Sequence, residues 1–116
     1  MANEGELSAD FYKSALESAS QNARNLLIAL HGCEGHEADT PYLAEKLEWK
    51  SYRRVNLVGG HLGKDLKDNY PEAREMYEDT IATGVLVTFD KRGGQWFWKL
   101  RPPVAEAMES LGWVKH

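Results

Sequence analysis

The sequence predicts a mainly helical α+β domain that ends in a β-hairpin and one further helix. Three features carry that prediction. A short capped helix is followed, after a tight turn, by a longer amphipathic one. The apolar period changes from helical to alternating at Gly84, and a glycine-rich basic turn separates two strand-like runs. The 116 residues are about the modal length of one domain, and no repeat, low-complexity tract or Pro/Ser-rich linker divides 1–116.

Capping side chains at Ser8 to Asp10 mark the first helix start. Phe11, Ala15 and Leu16 share one face, and Ala23, Leu26, Leu27 and Leu30 form a second stripe. Ser18, Ser20 and Asn22 lie between the stripes and are poor helix formers, so one helix or two fit this stretch. Gly32 and Gly35 end it, and a loop is expected up to Asp39. Thr40 is the expected N-cap, with Pro41 in the first turn, of a short helix from Tyr42 to about Glu48. Trp49-Lys50 connects it to Ser51. That serine caps a helix over about 52–67, in which Val55, Val58, Leu62 and Leu66 recur at core-facing spacing.

Pro71 starts another short helix containing Met76 and Tyr77, inside an inserted segment 68–83. From Gly84 a strand is expected, with Val85, Val87 and Phe89 on one face. Asp90 to Gly94 reads as a turn and Gln95 to Leu100 as a second strand, a hairpin over about 84–100. Pro102-Pro103 admits a last helix over about 103–111. Helix, short helix, tight turn, longer helix and hairpin is the order of a winged helix-turn-helix domain. In that architecture the 52–67 helix is the recognition helix and the hairpin is the wing.

Composition narrows the function. With 42% hydrophobic and 28% charged residues the chain is neither mostly disordered nor collagen-like. No apolar run approaches the roughly 18 residues of a membrane span. The acidic start Met1 to Glu6 lacks the apolar stretch of a secretory signal, and Cys33, the one cysteine, cannot form an intrachain disulfide, so a cytoplasmic protein is expected. The net charge of −4 is unevenly spread: −6 over 1–49, +4 over 50–67, −5 over 68–90, +4 over 91–101 and −1 beyond. Two basic blocks that meet in space would make an electrostatic footprint for nucleic acid despite the acidic total.

With Val55, Val58, Leu62 and Leu66 toward the core, Arg53, Leu57, Gly60 and Lys64 point outward, flanked by Asn56 and Lys67 on one side and Arg54 and His61 on the other. Arginine reads guanine and asparagine reads adenine by paired hydrogen bonds, whereas lysines suit phosphates. Gly60 would let the helix backbone approach a groove, and Gly59 and Gly63 would permit close packing on the buried side. Lys50, Ser51, Tyr52, Arg53, Arg54, Asn56, Gly60, His61, Lys64, Lys91 and Arg92 are therefore the expected DNA-binding residues. Trp96, Trp98 and Leu100 share one strand face and Phe97 and Lys99 the other. Trp49, Tyr52, Trp96 and Trp98 are the aromatics available to cage an extruded base.

Leu47, Trp49 to Tyr52, Val55-Asn56-Leu57 and Gly60 to Gly63 together carry a resemblance. They resemble the winged-helix domains that accompany HNH nucleases and modification-dependent restriction enzymes, and that also occur alone in prokaryotes and their viruses. That pattern has a glycine where this chain has Glu48. The resemblance implies a reader of N6-methyladenine in duplex DNA, with Tyr52, Arg53, Asn56 and Gly60 as contact positions; it implies no nuclease activity, since no second domain is present.

Other chemistry is not expected. His31-x-Cys33-x-x-His36, with Glu34, Glu37 and Asp39 nearby, offers metal-ligand types, but structural zinc wants a second ligand pair at matching spacing and none exists. Gly59 to Lys64 fails the phosphate-loop pattern at Val58 and Asp65. No nucleophile, base and acid form a set, so neither catalysis nor a cofactor is expected. The partner expected is double-stranded DNA, methylated or not, and no membrane. The alternatives are a winged helix that binds a basic protein through its acidic surface, and a transcription regulator that dimerises through Val104 to Leu111 and Trp113.

Overall fold

The computed structural model describes residues 6–115; most of the acidic start expected to carry no signal, Met1–Gly5, lies outside the described residues, as does His116. Serine begins each of the first two helices. Ser8 accepts from the Phe11 N–H ahead of α1 (Ala9–Leu16), and Ser20 accepts from the Ala23 N–H ahead of α2 (Gln21–His31). The serine-containing stretch thus divides the two apolar stripes into two helices.

The loop expected after α2 holds a strand, β1 (Glu37–Asp39), which pairs antiparallel with the last strand of the sheet. Three residues show no period, so only the tertiary pairing defines it. Asp39, not Thr40, caps α3 (Thr40–Lys46): its carboxylate accepts from the Tyr42 N–H at 2.8 Å, while Thr40 is buried in the first turn. The helix ends on Glu48 in the left-handed region, φ 59°, with Trp49 N–H closing back on the Ala44 carbonyl at 2.8 Å. A left-handed residue at this helix end normally belongs to glycine. The glutamate therefore keeps the geometry of the glycine position at a cost in backbone strain.

Ser51 caps α4 (Tyr52–Asn69), which runs two residues past its expected end. Val55, Leu62 and Leu66 are buried as their spacing predicts, Val58 is half-buried, and Gly59 and Gly63 are also buried. A short α5 (Pro71–Met76) follows. The strand expected from Gly84 begins later. Residues Ala82–Val85 form a 3-10 turn, with Val85 fully buried inside it, and β2 spans Val87–Arg92.

β3 (Gln95–Leu100) returns through a two-residue turn whose glycines, Gly93 and Gly94, both have positive φ, 56° and 82°. That is the type I′ geometry matched to the twist of a hairpin. Asp90, Lys91 and Arg92 are consequently strand residues rather than turn residues. The sheet order is β1-β3-β2, and α6 (Pro102–Ser110) starts at the first proline and ends the described elements. The result is a mainly helical α+β domain with a small antiparallel sheet and a late hairpin. No helix among the described residues is long and apolar enough to cross a membrane.

The 3-10 turn is where α4 and the hairpin meet. A Cβ on Gly63 would lie 1.8 Å from the Ala82 carbonyl oxygen, so the two backbones touch directly. From the other side, buried Arg101 donates to the Gly84 carbonyl through Nε at 2.9 Å and Nη2 at 2.7 Å. The Tyr12 hydroxyl donates to the Val85 carbonyl at 2.6 Å, and burial pushes its pKa far up, so it stays a donor.

Two substitutions test this account by urea unfolding. Glu48→Gly relieves a left-handed residue and should raise stability by about 1 kcal/mol. Gly63→Ala should lower it by about 3 kcal/mol despite alanine's better helix propensity, because backbone atoms block the added carbon.

Candidate nucleic-acid interface

Strand register sorts the hairpin side chains into two faces. Cross-strand partners Val87 and Leu100, Phe89 and Trp98, and Lys91 and Trp96 succeed one another along one face. The first pair is in the core. Trp98 is also buried, with Phe89 edge-on to it at 6.3 Å. At the tip the Lys91 ammonium lies 5.7 Å from the ring centre of Trp96, which is 54% exposed. The same face therefore passes from core to solvent within one strand length.

That face forms one wall of an open trough of about 950 Å³. Its other walls are the start of α3 (Thr40, Pro41), the first turns of α4 (Tyr52, Asn56) and the segment with Ile81 and Thr83. Phe89, Gln95, Trp96 and Trp98 complete the hairpin side. Aromatic and aliphatic surface dominates; the Asn56 amide and the hydroxyls of Tyr52, Thr40 and Thr83 can donate and accept, while Gln95, opposite Arg92 in the register, lines the trough from the hairpin tip. Aromatic walls with a few placed polar groups are what a planar heterocycle needs: faces to stack on and an edge to hydrogen-bond.

The expected contact residues divide between the trough and elsewhere. Tyr52, Asn56, Trp96 and Trp98 come together there. Trp49 does not; it is half-buried with the Arg54 guanidinium 4.8 Å over its ring. Lys50 and Arg53 are exposed beside Tyr52 at the start of α4, and Ser51 is used as its cap. Gly60 is half-buried, and a Cβ there would meet Thr83 at 3.8 Å, an ordinary contact. His61 is exposed and lines a different cleft, of about 520 Å³, with Ser18, Asp65 and Asn69. Lys64 is exposed and paired with Asp68 at 2.8 Å, whose carboxylate raises the lysine's pKa. Lys67, expected to flank the outer face, donates to the Thr80 carbonyl instead.

The two bases of the hairpin, adjacent in sequence, face opposite ways. Lys91 extends the trough face. Arg92 lies on the other, 4.5 Å over the Phe97 ring, and pairs with Asp90 at 2.6 Å and with Glu37 of β1. The hydrogen bonds it donates to Asp90 and Glu37 hold its pKa above the ordinary value. Sequence reasoning missed Phe89, Gln95 and Ile81 as trough residues. Alternation along β2 and β3 signals the first, since Phe89 shares a face with the tip, but Ile81 carries no such signal.

On the other elements, α6 packs Val104, Ala107 and Met108 into the core, and Trp113 is half-buried under Arg24 at 5.0 Å. The Cys33 thiol donates to the Ala29 carbonyl at 3.3 Å, and burial pushes its pKa up despite Lys46 nearby. Compared with protein-family models, with curated proteins and with solved structures, the chain matches none.

A raised thiol pKa leaves less thiolate at a given pH, and thiolate is the reacting form. Cys33 should therefore react with a disulfide reagent at pH 8 several-fold more slowly in the native protein than in urea. The two rates should converge as pH rises, and equal rates at pH 8 would contradict the burial.

Proposed function

We propose that this chain is a winged-helix domain that binds double-stranded DNA, with α4 in the major groove and the hairpin at the backbone, and that it reads a methylated adenine turned out into the trough. The observation that carries the reading is the trough itself. It gathers Tyr52, Phe89, Trp96 and Trp98 around the amide of Asn56, between the helix and the hairpin that would flank the duplex. The element order and the sheet order β1-β3-β2 fit a winged helix, in which the helix after the tight turn enters the groove.

The chemistry of each wall has a role in this reading. An extruded base stacks on Trp96 and Tyr52, the exposed aromatics at the rim, and Trp98 closes the floor. The asparagine amide matches adenine's donor and acceptor edge. Ile81, 68% exposed at the rim, offers apolar surface to an added methyl. Lys50 and Arg53 at the start of α4, and Lys91 on the trough face of the hairpin, supply phosphate contacts on either side.

Fluorescence anisotropy with one duplex, unmodified and adenine-methylated, over a salt series tests the reading. Methylated duplex should bind more than about tenfold tighter, roughly 1.4 kcal/mol. Trp96→Ala should remove about 1–3 kcal/mol from methylated binding, the value of one stacked base. Equal affinity for both duplexes would discard the modified-base part, and no binding to either at low salt would discard DNA in favour of a protein partner.

The two hairpin bases give a sharper test. Each phosphate neutralised adds about 0.9 to the slope of log affinity against log salt. Lys91→Ala should lower the slope by about that amount. Arg92→Ala should change it by less than about half as much, because its charge is already matched by Asp90 and Glu37.

A further inference from the structure

Away from the trough, the end of α2, the turn after it and the end of α6 converge. His31, His36 and Glu109 each present a ligand atom within 4.8 Å of the others, and all three are half-buried. His31 Nε2 lies 2.9 Å from Glu109 Oε2, which comes from 78 residues later in the chain. The histidine-cysteine-histidine spacing lacks a second ligand pair at matching spacing; folding instead brings a carboxylate from far along the chain.

His36 is set for ligation. It occupies the left-handed region at φ 57°, which a residue with a Cβ holds only when its surroundings fix it there. Its ring packs 4.2 Å from that of His31, and its Nδ1 lies 2.7 Å from the His31 carbonyl oxygen. A carbonyl can only accept, so Nδ1 carries the proton and Nε2 presents its lone pair. A backbone carbonyl that fixes one ring nitrogen while the other ligates is the usual support of metal-bound histidine. Cys33, between the two histidines, takes no part, since its thiol is engaged with Ala29 and burial favours its protonated form.

We propose that His31, His36 and Glu109 form a binding site for a divalent transition-metal ion of the zinc class, with solvent completing the coordination. Two imidazoles and one carboxylate suit such an ion, whereas calcium and magnesium take mostly oxygen ligands. The hydrogen bond between His31 and Glu109 holds one proton. An ion bonded to both atoms takes the place of that proton, which on a neutral imidazole is re-placed at Nδ1 through solvent, so no net proton has to leave. The ion links α2 to α6, and because the unfolded chain lacks the assembled site, binding raises the unfolding temperature.

Isothermal titration of the full chain with Zn²⁺ tests this. One ion should bind per chain, with affinity at least about tenfold weaker in His36→Gln and in Glu109→Gln. His61→Gln, which changes a histidine on α4 outside the cluster, should bind as the parent does. The melting temperature should rise with Zn²⁺ in the parent and far less in the two cluster variants. A measurement without substitution accompanies these: the imidazole resonances of His31 and His36, but not of His61, should shift on titration. Absence of saturable binding to the parent, parental affinity in either cluster variant, or unmoved His31 and His36 resonances would overturn the site.

Discussion

The direct backbone contact between Gly63 and Ala82 is the constraint on which the candidate interface depends. With no room for a side chain at Gly63, α4 lies flush against the 3-10 turn at Ala82–Val85. That turn leads directly into β2, so the contact sets how far the hairpin stands from the helix. A larger residue would push the turn outward and carry Phe89 and Trp98 away from Tyr52 and Asn56. The buried donors of Arg101 and Tyr12 hold the same turn from the opposite side by its carbonyls at Gly84 and Val85. A short segment without regular strand structure is thereby fixed on both sides, and the width of the trough follows from it.

The hairpin shows how one strand face serves two purposes. Period-two alternation puts Leu100, Trp98 and Trp96 in line, and their cross-strand partners Val87, Phe89 and Lys91 follow. Packing of the inner pairs holds the strands rigid up to the point where the face emerges beside α4. A ligand wall that continues a packed core face is pre-ordered, because its inner half cannot move without opening the core. The opposite face, polar apart from Phe97, is tied to β1 through Arg92 and Glu37, which restrains the tip as well.

Much of this was legible in the sequence. Capping serines, the Pro41 helix start, the Val55 to Leu66 stripe and the paired glycines each act through local chemistry, and each marks its element. What was not legible depends on tertiary placement. β1 is too short to show a period and exists only because β3 lies beside it. Val85 looks like a strand residue because it is β-branched and buried, yet it fills the core from a 3-10 turn. Alternation grouped Trp96 with Trp98 but could not give their depths, since these depend on where the strand passes the edge of α4. Glu48 likewise carries no local sign of the left-handed backbone it adopts after α3.

Charge, counted by blocks, overstates what a nucleic acid would meet. The two blocks of +4 include Lys64, Arg92 and Arg101, which face Asp68, Asp90 with Glu37, and Glu6. Lys67 is drawn back to a backbone carbonyl. Among the described residues Lys50, Arg53, Arg54, Lys91 and Lys99 make no ion pair, Arg54 lying over the Trp49 ring and Lys91 near the Trp96 ring. On the DNA-binding reading, fewer available cations than the blocks count give a shallower dependence on salt and less non-specific affinity. The rest of the binding energy then has to come from contacts to a base rather than to phosphates. On that reading an acidic domain with an aromatic trough is biased toward discrimination: where the base does not fit, less electrostatic attraction remains to hold the duplex.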